Sequence, residues 1–340
     1  MKPEVEVSVV ISTWNRCAIL PGAIESLLAQ QSDPASYEII IVDNNSTDST
    51  RQVVESLIAQ HPQRLRYVFE PRQGLSFGRN AGLMAARGAF VAYTDDDVRV
   101  APDWVWQIRE AFARFPRADF IGGRVLPRWP HEPPAWLSKE YGHWGPLALT
   151  DYGAEPFATS RERPICLVGA SLIFRRDVLR RAGGFRPELQ LVGAGTGSME
   201  DHELQLQLYR AGHQGWYVPE LVVYAEVQRE RMMKSYHRRW HSGHGRFSAL
   251  IRLEESFTSD GRLLDAPLSA STWFGAPKYL YRQLLNATGR WLKAAWRRNE
   301  SAAFAHELQM RELFSYISER RKTGAVHENV RQAGSLSRAS

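Results

Sequence analysis

The sequence predicts an α/β protein in which a mostly parallel central sheet carries helices on both faces. Three observations predict it. Short β-favouring apolar runs alternate with stretches of helical periodicity through the first 120 or so residues. Two of those runs end abruptly in acid, EIIIVD at 38–43 and AFVAYTDDD at 89–97. The 340 residues are 44% hydrophobic and 24% charged, enough apolar side chain to cover both sides of such a sheet.

Residues 7–12 read as a fully buried strand. Asn15 is placed to cap the helix that follows, where Leu20, Ile24, Leu27 and Leu28 recur at helical spacing. Residues 38–43 form the second strand, and 44–48 (NNSTD) are turn chemistry. Ser49 and Gln52 have capping-box spacing, opening a helix that turns Val53, Val54, Leu57 and Ile58 inward. A third strand spans 65–69. Gly74-Leu75-Ser76 then leads into a helix through Phe77, Ala81 and Met84 that stops by Gly88. Phe90 to Tyr93 make the fourth strand, and Trp104, Ile108, Phe112 and Phe115 mark one more helix. Four β-α units in a row imply parallel strands, with ligands beyond their carboxyl ends.

The acidic strand end carries the chemistry. Asp95, Asp96 and Asp97 repel one another and resist desolvation, so a counter-charge is expected there. Mg²⁺ or Mn²⁺ prefers a few carboxylate oxygens together with substrate phosphates. Parallel order brings Thr13, Asn15 and Arg16, then Asp43 and Asn45, to the same edge as the three aspartates, with Arg79 and Asn80 joining from the neighbouring helix. Asp43 is placed to accept hydrogen bonds from a nucleoside, and Arg79 to meet a phosphate as a planar fork. Singly, a strand-end Asp is often a helix cap and a lone Arg a solvated charge; together with the triplet they point to a metal–diphosphate site. No GxGxxG follows the first strand, which disfavours a dinucleotide fold. No GxxxxGK[ST] occurs, which excludes a P-loop.

The net charge of +6 suits anionic partners without choosing among them. Cys17 and Cys166 sit in no CxxC or metal-ligand spacing, which fits a reducing, cytoplasmic setting. The first residues lack a signal-peptide pattern, and no apolar run approaches the roughly 18 residues of a membrane span.

In the second half, residues 122–127 and 168–174 read as strands. They frame a Pro-, Trp- and Gly-rich segment, 128–164, with Trp129, Trp136, Tyr141 and Trp144. Two readings stand: an acceptor lid whose rings stack on sugars, or a loop pinned by buried aromatics. The glycine-rich 193–198 leads to Glu200-Asp201 and a helix with Leu204, Leu208 and Ala211 facing in and Gly212 stopping it. In the basic run 229–246, His237, His241 and His244 fall at helical spacing, but no Cys or acid there completes a zinc set. Residues 277–298 form a basic amphipathic stretch, through Leu280, Leu284, Trp291 and Leu292, suited to a peripheral contact with an anionic membrane or to an ordinary docked helix. From about 322 the chain turns polar and reads as disordered.

Six stretches in order, VSVVISTWNR (7–16), EIIIVDNNSTDST (38–50), GLSFGRNAG (74–82), YTDDD (93–97), VGASLIFRRDVLRRAGGF (168–185) and MEDHELQLQLYRAG (199–212), resemble the inverting glycosyltransferases of family 2, which have the GT-A fold. The resemblance covers roughly residues 5–250. It implies a GT-A domain over 1–250, with a nucleotide-binding half at about 5–120 and an acceptor half at about 121–250, then a helical extension over 251–321 and a tail over 322–340. It implies a metal-dependent enzyme moving a sugar from a nucleotide-diphosphate sugar to a hydroxyl of a glycan or lipid-linked acceptor, in polysaccharide or cell-envelope glycan synthesis, with no nucleic-acid partner. Asp43 resembles the base-binding aspartate, Thr13 and Asn15 line the same pocket, and Arg79 lies near the diphosphate. Asp95 and Asp97 are the ends of the DxD; the last meets the metal, and the first holds the ribose or reaches the metal through water. Asp201 matches the catalytic base, and Glu200 is expected to orient the acceptor or a neighbouring group. His244 is the candidate third metal ligand. Asn44 departs from the family, standing where many members carry a second carboxylate. Tyr236-x-x-Arg239-Trp240 departs from the QxxRW of processive members, which disfavours processive synthesis. A nucleotidyltransferase, or a non-catalytic nucleotide- or glycan-binding relative, is the alternative.

Overall fold

A computed structural model describes residues 5–33, 36–189 and 199–336, with the backbone alone for 323–336. The glycine-rich 193–198 lies outside the described residues. The first half follows the predicted alternation: β1 (Val7–Thr13), α1 (Leu20–Leu28), β2 (Tyr37–Asp43), α2 (Thr50–Gln60), β3 (Leu65–Phe69), α3 (Leu75–Ala85), β4 (Phe90–Asp95), β5 (Val98–Val100) and α4 (Trp104–Arg114). The second half adds β6 (Phe120–Arg128), β7 (Phe157–Thr159), β8 (Leu172–Arg175), α5 (Arg176–Arg181), α6 (Glu200–Arg210) and β9 (Gly215–Glu226). A helical end follows: α7 (Lys234–Leu250), a short hairpin of β10 (Thr272–Trp273) and β11 (Ala276–Pro277), α8 (Lys278–Trp296) and α9 (Glu300–Leu336).

The sheet order is β3-β2-β1-β4-β8-β6-β9-β5, with β7 also on β9. β3, β2, β1 and β4 run parallel. β8 then enters antiparallel between β4 and β6, so the two halves of the chain share one continuous sheet. β1 and β2 are buried along nearly their whole length because helices cover both faces. One core joins Ile11, Ile24, Ile41, Trp104 and Ile108. The other, across the sheet, joins Val10, Ile40, Leu83, Phe174 and Leu204.

Three local expectations change. Asn15 does not cap α1, whose N-cap is Ile19 with no side-chain bond; it adopts φ +53° and ties two loops together. Ser49 makes no capping bond either; Asp48 Oδ1 accepts from the Thr50 N–H at 2.9 Å instead. α3 turns Gly78, Gly82 and Leu83 inward and leaves Met84 exposed. A Cβ at Gly78 would collide with Ser12 Oγ and one at Gly82 with Val10, so close approach to β1, not a large apolar stripe, sets that face. The C-terminal tail, read as disordered from about 322, continues α9 as helix to Leu336.

Candidate active site

Strand register builds the site. β1 pairs Thr13 with Asp43 of β2 and Ser12 with Asp95 of β4, so three carboxyl ends finish level. Beyond them lies a cavity of about 250 Å³ lined by Thr13, Trp14, Arg16, Asn44, Gly74, the three aspartates and Arg231. Each aspartate has a partner. Thr13 Oγ1 donates to Asp96 Oδ2 at 2.7 Å. Arg79 Nη2 stands 3.7 Å from Asp95 Oδ1, and Arg231 Nη2 stands 3.4 Å from Asp97 Oδ2. These partners do not cancel the charge. Burial, and then the neighbouring Asp97, push Asp96 up to about 7. Burial likewise raises Asp95, against the pull of Arg79.

The rim is held by residues with ordinary structural work. Asn15 Oδ1 accepts from the Thr47 N–H at 2.7 Å, and the Asn15 N–H donates to Ser46 Oγ at 3.0 Å. Asp43 is buried below the cavity rather than lining it; its oxygens accept from the Ser46 N–H at 2.9 Å and the Tyr67 hydroxyl at 2.8 Å. Asn45 is exposed, at φ +64°, and does not line the cavity. Asn44 does. Its amide donates to the Arg72 carbonyl at 2.7 Å and accepts from the Gly74 N–H at 2.6 Å, fixing the start of α3 at the cavity edge. Gly74 has φ +142°, a conformation that glycine tolerates and L side chains resist. An ionised carboxylate cannot donate, so Asn44→Asp is expected to lose about 1–3 kcal/mol in urea unfolding.

Arg79 links this cavity to the next. It is 5% exposed, and its Nη1 stands 3.1 Å from Glu200 Oε1 while Nη2 faces Asp95. The sequence placed Arg79 on the diphosphate and Glu200 on the acceptor or a neighbouring group. The structure buries Glu200, 2% exposed, as a counter-ion of Arg79, the second of the two places the sequence left open for it, a neighbouring group. Asp201, next in the chain, faces a second cavity of about 400 Å³ with His202, Trp144, Tyr152 and Trp240. Its Oδ2 accepts from the Gly169 N–H at 3.2 Å, and its Oδ1 lies 3.7 Å from His202 Nδ1. Gly169 leaves room for the Arg79 guanidinium: a Cβ there would stand 2.5 Å from Nη2. Burial acts to raise the Asp201 carboxyl, but hydrogen bonding and charge from His202, with Arg79 behind them, hold it down at about 2. Burial acts against a charged His202, and Cys166 and Asp201 more than offset it, raising its pKa well above the ordinary value.

The histidines of α7 divide. His237 Nε2 meets the Arg231 carbonyl at 3.0 Å, while His241 and His244 share Glu312 of α9, at 2.6 and 3.3 Å. The structure therefore does not bring His244 to the DxD cavity; it lines the Asp201 cavity, stacked on Trp240 at 4.5 Å. Among the described residues no group of three or more His, Cys, Asp or Glu side chains is gathered for a metal. The aromatic segment also divides. Trp136 is pinned edge-on against His237 and Phe304, whereas Trp144 lines the Asp201 cavity.

Three contributors escaped the sequence. Arg231 sat in a basic run where the histidine spacing drew attention. His202 was hidden between the two acids and the helix they open. Asn44 looked like a lost carboxylate, although an amide is the one side chain of that size that both donates and accepts.

The model of the family described as "Glycosyl transferase family 2" matches residues 8–183, more than half of the sequence. The chain belongs to glycosyl transferase family 2. Among curated relatives of this family-2 chain, a validoxylamine A glucosyltransferase of Streptomyces hygroscopicus subsp. limoneus is 34% identical over 130 residues, 37% of this chain and 28% of the relative. The succinoglycan biosynthesis protein ExoM of Rhizobium meliloti is 27% identical over 248 residues, 72% of this chain and 75% of ExoM. The first relatives are matched over only about a third of their own length, for instance 33% of an uncharacterised Nostoc glycosyltransferase. In three dimensions, a mannosyltransferase from Pyrobaculum calidifontis, solved with GDP-Man and Mn²⁺, aligns over 94% of this chain and 87% of its own with TM-score 0.60 at 18% identity. GalNAc-T7, solved with UDP, GalNAc and Mn²⁺, aligns over 76% of this chain and 49% of its own with TM-score 0.55 at 17% identity. The fold is GT-A-like: an α/β architecture whose sheet is parallel over β3-β2-β1-β4, with a helical C-terminal region.

Proposed function

We propose that this family-2 chain is an inverting, metal-dependent glycosyltransferase. It moves a sugar from a nucleotide-diphosphate donor to a hydroxyl of a glycan or lipid-linked acceptor, in polysaccharide or envelope glycan synthesis. One observation carries the reading. The ion-paired line Asp95–Arg79–Glu200 joins a cavity rich in carboxylates and arginines to a cavity holding a half-buried, ionised Asp201 between aromatic walls. A donor with a charged diphosphate fits the first, and a sugar hydroxyl fits the second.

The residues present suit a hard divalent cation. Asp95 and Asp97 offer only carboxylate oxygens, and burial, with the neighbouring carboxylates adding to it, raises Asp95 and Asp96 against the pull of Arg79 and Arg16, a cost that a bound cation would relieve. Asp97 would hold Mn²⁺ or Mg²⁺, with Asp95 on the ribose or in the ion's outer sphere. When bound, the ion supplies charge stabilisation for the departing nucleoside diphosphate. Arg16 and Arg231 line the same cavity, and the N-terminus of α3 opens on it at Gly74 and Leu75, so backbone N–H groups add to the anion-binding field. Asp201 takes the acceptor's proton as that oxygen attacks the anomeric carbon. A single displacement inverts the configuration. Trp144 and Trp240 present apolar walls to a sugar ring beside that base.

The test is turnover of a panel of nucleotide sugars with Mn²⁺, with chelator, and with Asp97→Ala. The expected result is release of nucleoside diphosphate that chelator abolishes and Asp97→Ala lowers by about 10²–10³-fold, as loss of several kcal/mol of charge stabilisation implies. Turnover untouched by both treatments overturns the metal assignment.

A further inference from the structure

α8 has two faces of opposite character. Leu280, Ala287 and Ala294 are buried, in a cluster with Ala249 of α7 and Leu313 and Tyr316 of α9. At about 100° of rotation per residue these three share one side of the helix. Leu285, Leu292 and Trp296 fall within about 40° of one another on the opposite side. They are 72%, 58% and 84% exposed. Tyr279, Tyr281 and Leu284 pack at the edges of that cluster, while three further bulky apolar side chains point away from it. A helix that only packs on its own protein carries polar side chains on the face away from it, not a second apolar stripe.

The charges choose the occupant. Lys278, Arg282, Arg290 and Lys293 lie on α8, Arg297 and Arg298 follow it, and no Asp or Glu occurs between 278 and 298. By the same rotation count Lys278 falls on the bearing of Trp296, at the edge of the apolar stripe, and Arg282 and Lys293 border it on that flank. A second copy of this face would bring six cations against six. An anionic bilayer satisfies both features: headgroups take the Lys and Arg, and the acyl boundary takes the leucines and the indole. No described helix is long and apolar enough to cross a membrane, so the contact is peripheral. We propose that α8 lies along an anionic membrane surface with Leu285, Leu292 and Trp296 inserted. The sequence left open whether 277–298 docks on protein or on lipid; the helix does both, with opposite faces. The inference stands apart from the transfer reading, since it concerns no residue of either cavity.

The test is flotation of the full chain with vesicles, without donor or acceptor. Vesicles of equal phosphatidylglycerol and phosphatidylcholine are expected to carry the protein, and pure phosphatidylcholine about tenfold less. The variant Leu285→Ser/Leu292→Ser/Trp296→Ser is expected to bind the mixed vesicles at least about tenfold more weakly. Lys278→Gln/Arg282→Gln/Lys293→Gln is expected to lose the preference for anionic lipid. All six positions are exposed, so both variants keep the wild-type melting temperature. Absence of wild-type flotation, unchanged binding by the stripe variant, or a solution dimer that the stripe variant breaks would each overturn the proposal.

Discussion

Asp201→Asn is expected to lower kcat by about 10²–10⁴-fold, the range that a positioned general base supplies, while the dissociation constant of the donor stays within about twofold. The reason is spatial. Asp201 lines the aromatic cavity and not the DxD cavity, and asparagine preserves its shape and the bond accepted from the Gly169 N–H. Loss of the proton acceptor then shows in the chemical step alone. His202 supplies a second, finer test. It lies against Asp201 and helps to hold that carboxyl near 2, against burial that acts to raise it. In His202→Gln the burial is less opposed, so the Asp201 pKa rises. The base works only when ionised, so the acid limb of the kcat/KM profile must move to higher pH and never lower. A profile unchanged in both variants, with turnover intact, removes Asp201 from the mechanism.

How much of this was legible in the sequence follows from how local each signal was. The sheet and its acidic edge were readable because buried parallel strands are continuous apolar runs, as in Ile39-Ile40-Ile41-Val42, and because acid at a strand end is conspicuous. The two-sided covering by helices followed from the alternation alone. What the sequence concealed was pairing between distant segments. Arg79 and Glu200 lie 121 positions apart, and nothing in either neighbourhood announces that they meet. The same holds for Arg231 and Asp97, and for His244 and Glu312. Single-residue roles inferred for Arg79 and His244 therefore shifted once their partners were known, and that of Glu200 narrowed. Caps were a second weak point. Ser49 and Asp48 are adjacent and both competent, and the carboxylate, the stronger acceptor, took the Thr50 N–H. α3 was a third: close packing through Gly78 and Gly82 leaves no apolar periodicity to read.

Arg79→Met is expected to cost about 3–5 kcal/mol of stability, the range for removing one member of a buried ion pair, and to abolish transfer. Glu200 would keep its charge with its guanidinium partner gone, in a place 2% exposed, and Asp95 would lose the cation that opposes its rise. The melting temperature should fall on the order of 10 °C. Removing both charges separates fold from function. In Arg79→Met/Glu200→Met both charges of that pair are gone, and apolar side chains of similar volume commonly replace buried ion pairs without loss. Most of the stability should therefore return in urea unfolding. Transfer should not return, because Asp95 still lacks its cation and the start of α6, which carries Asp201, is no longer tied to the DxD edge. A single variant as stable as wild type would show that the pair contributes no such stability. A double variant with full turnover would show that the tie between the two cavities is dispensable.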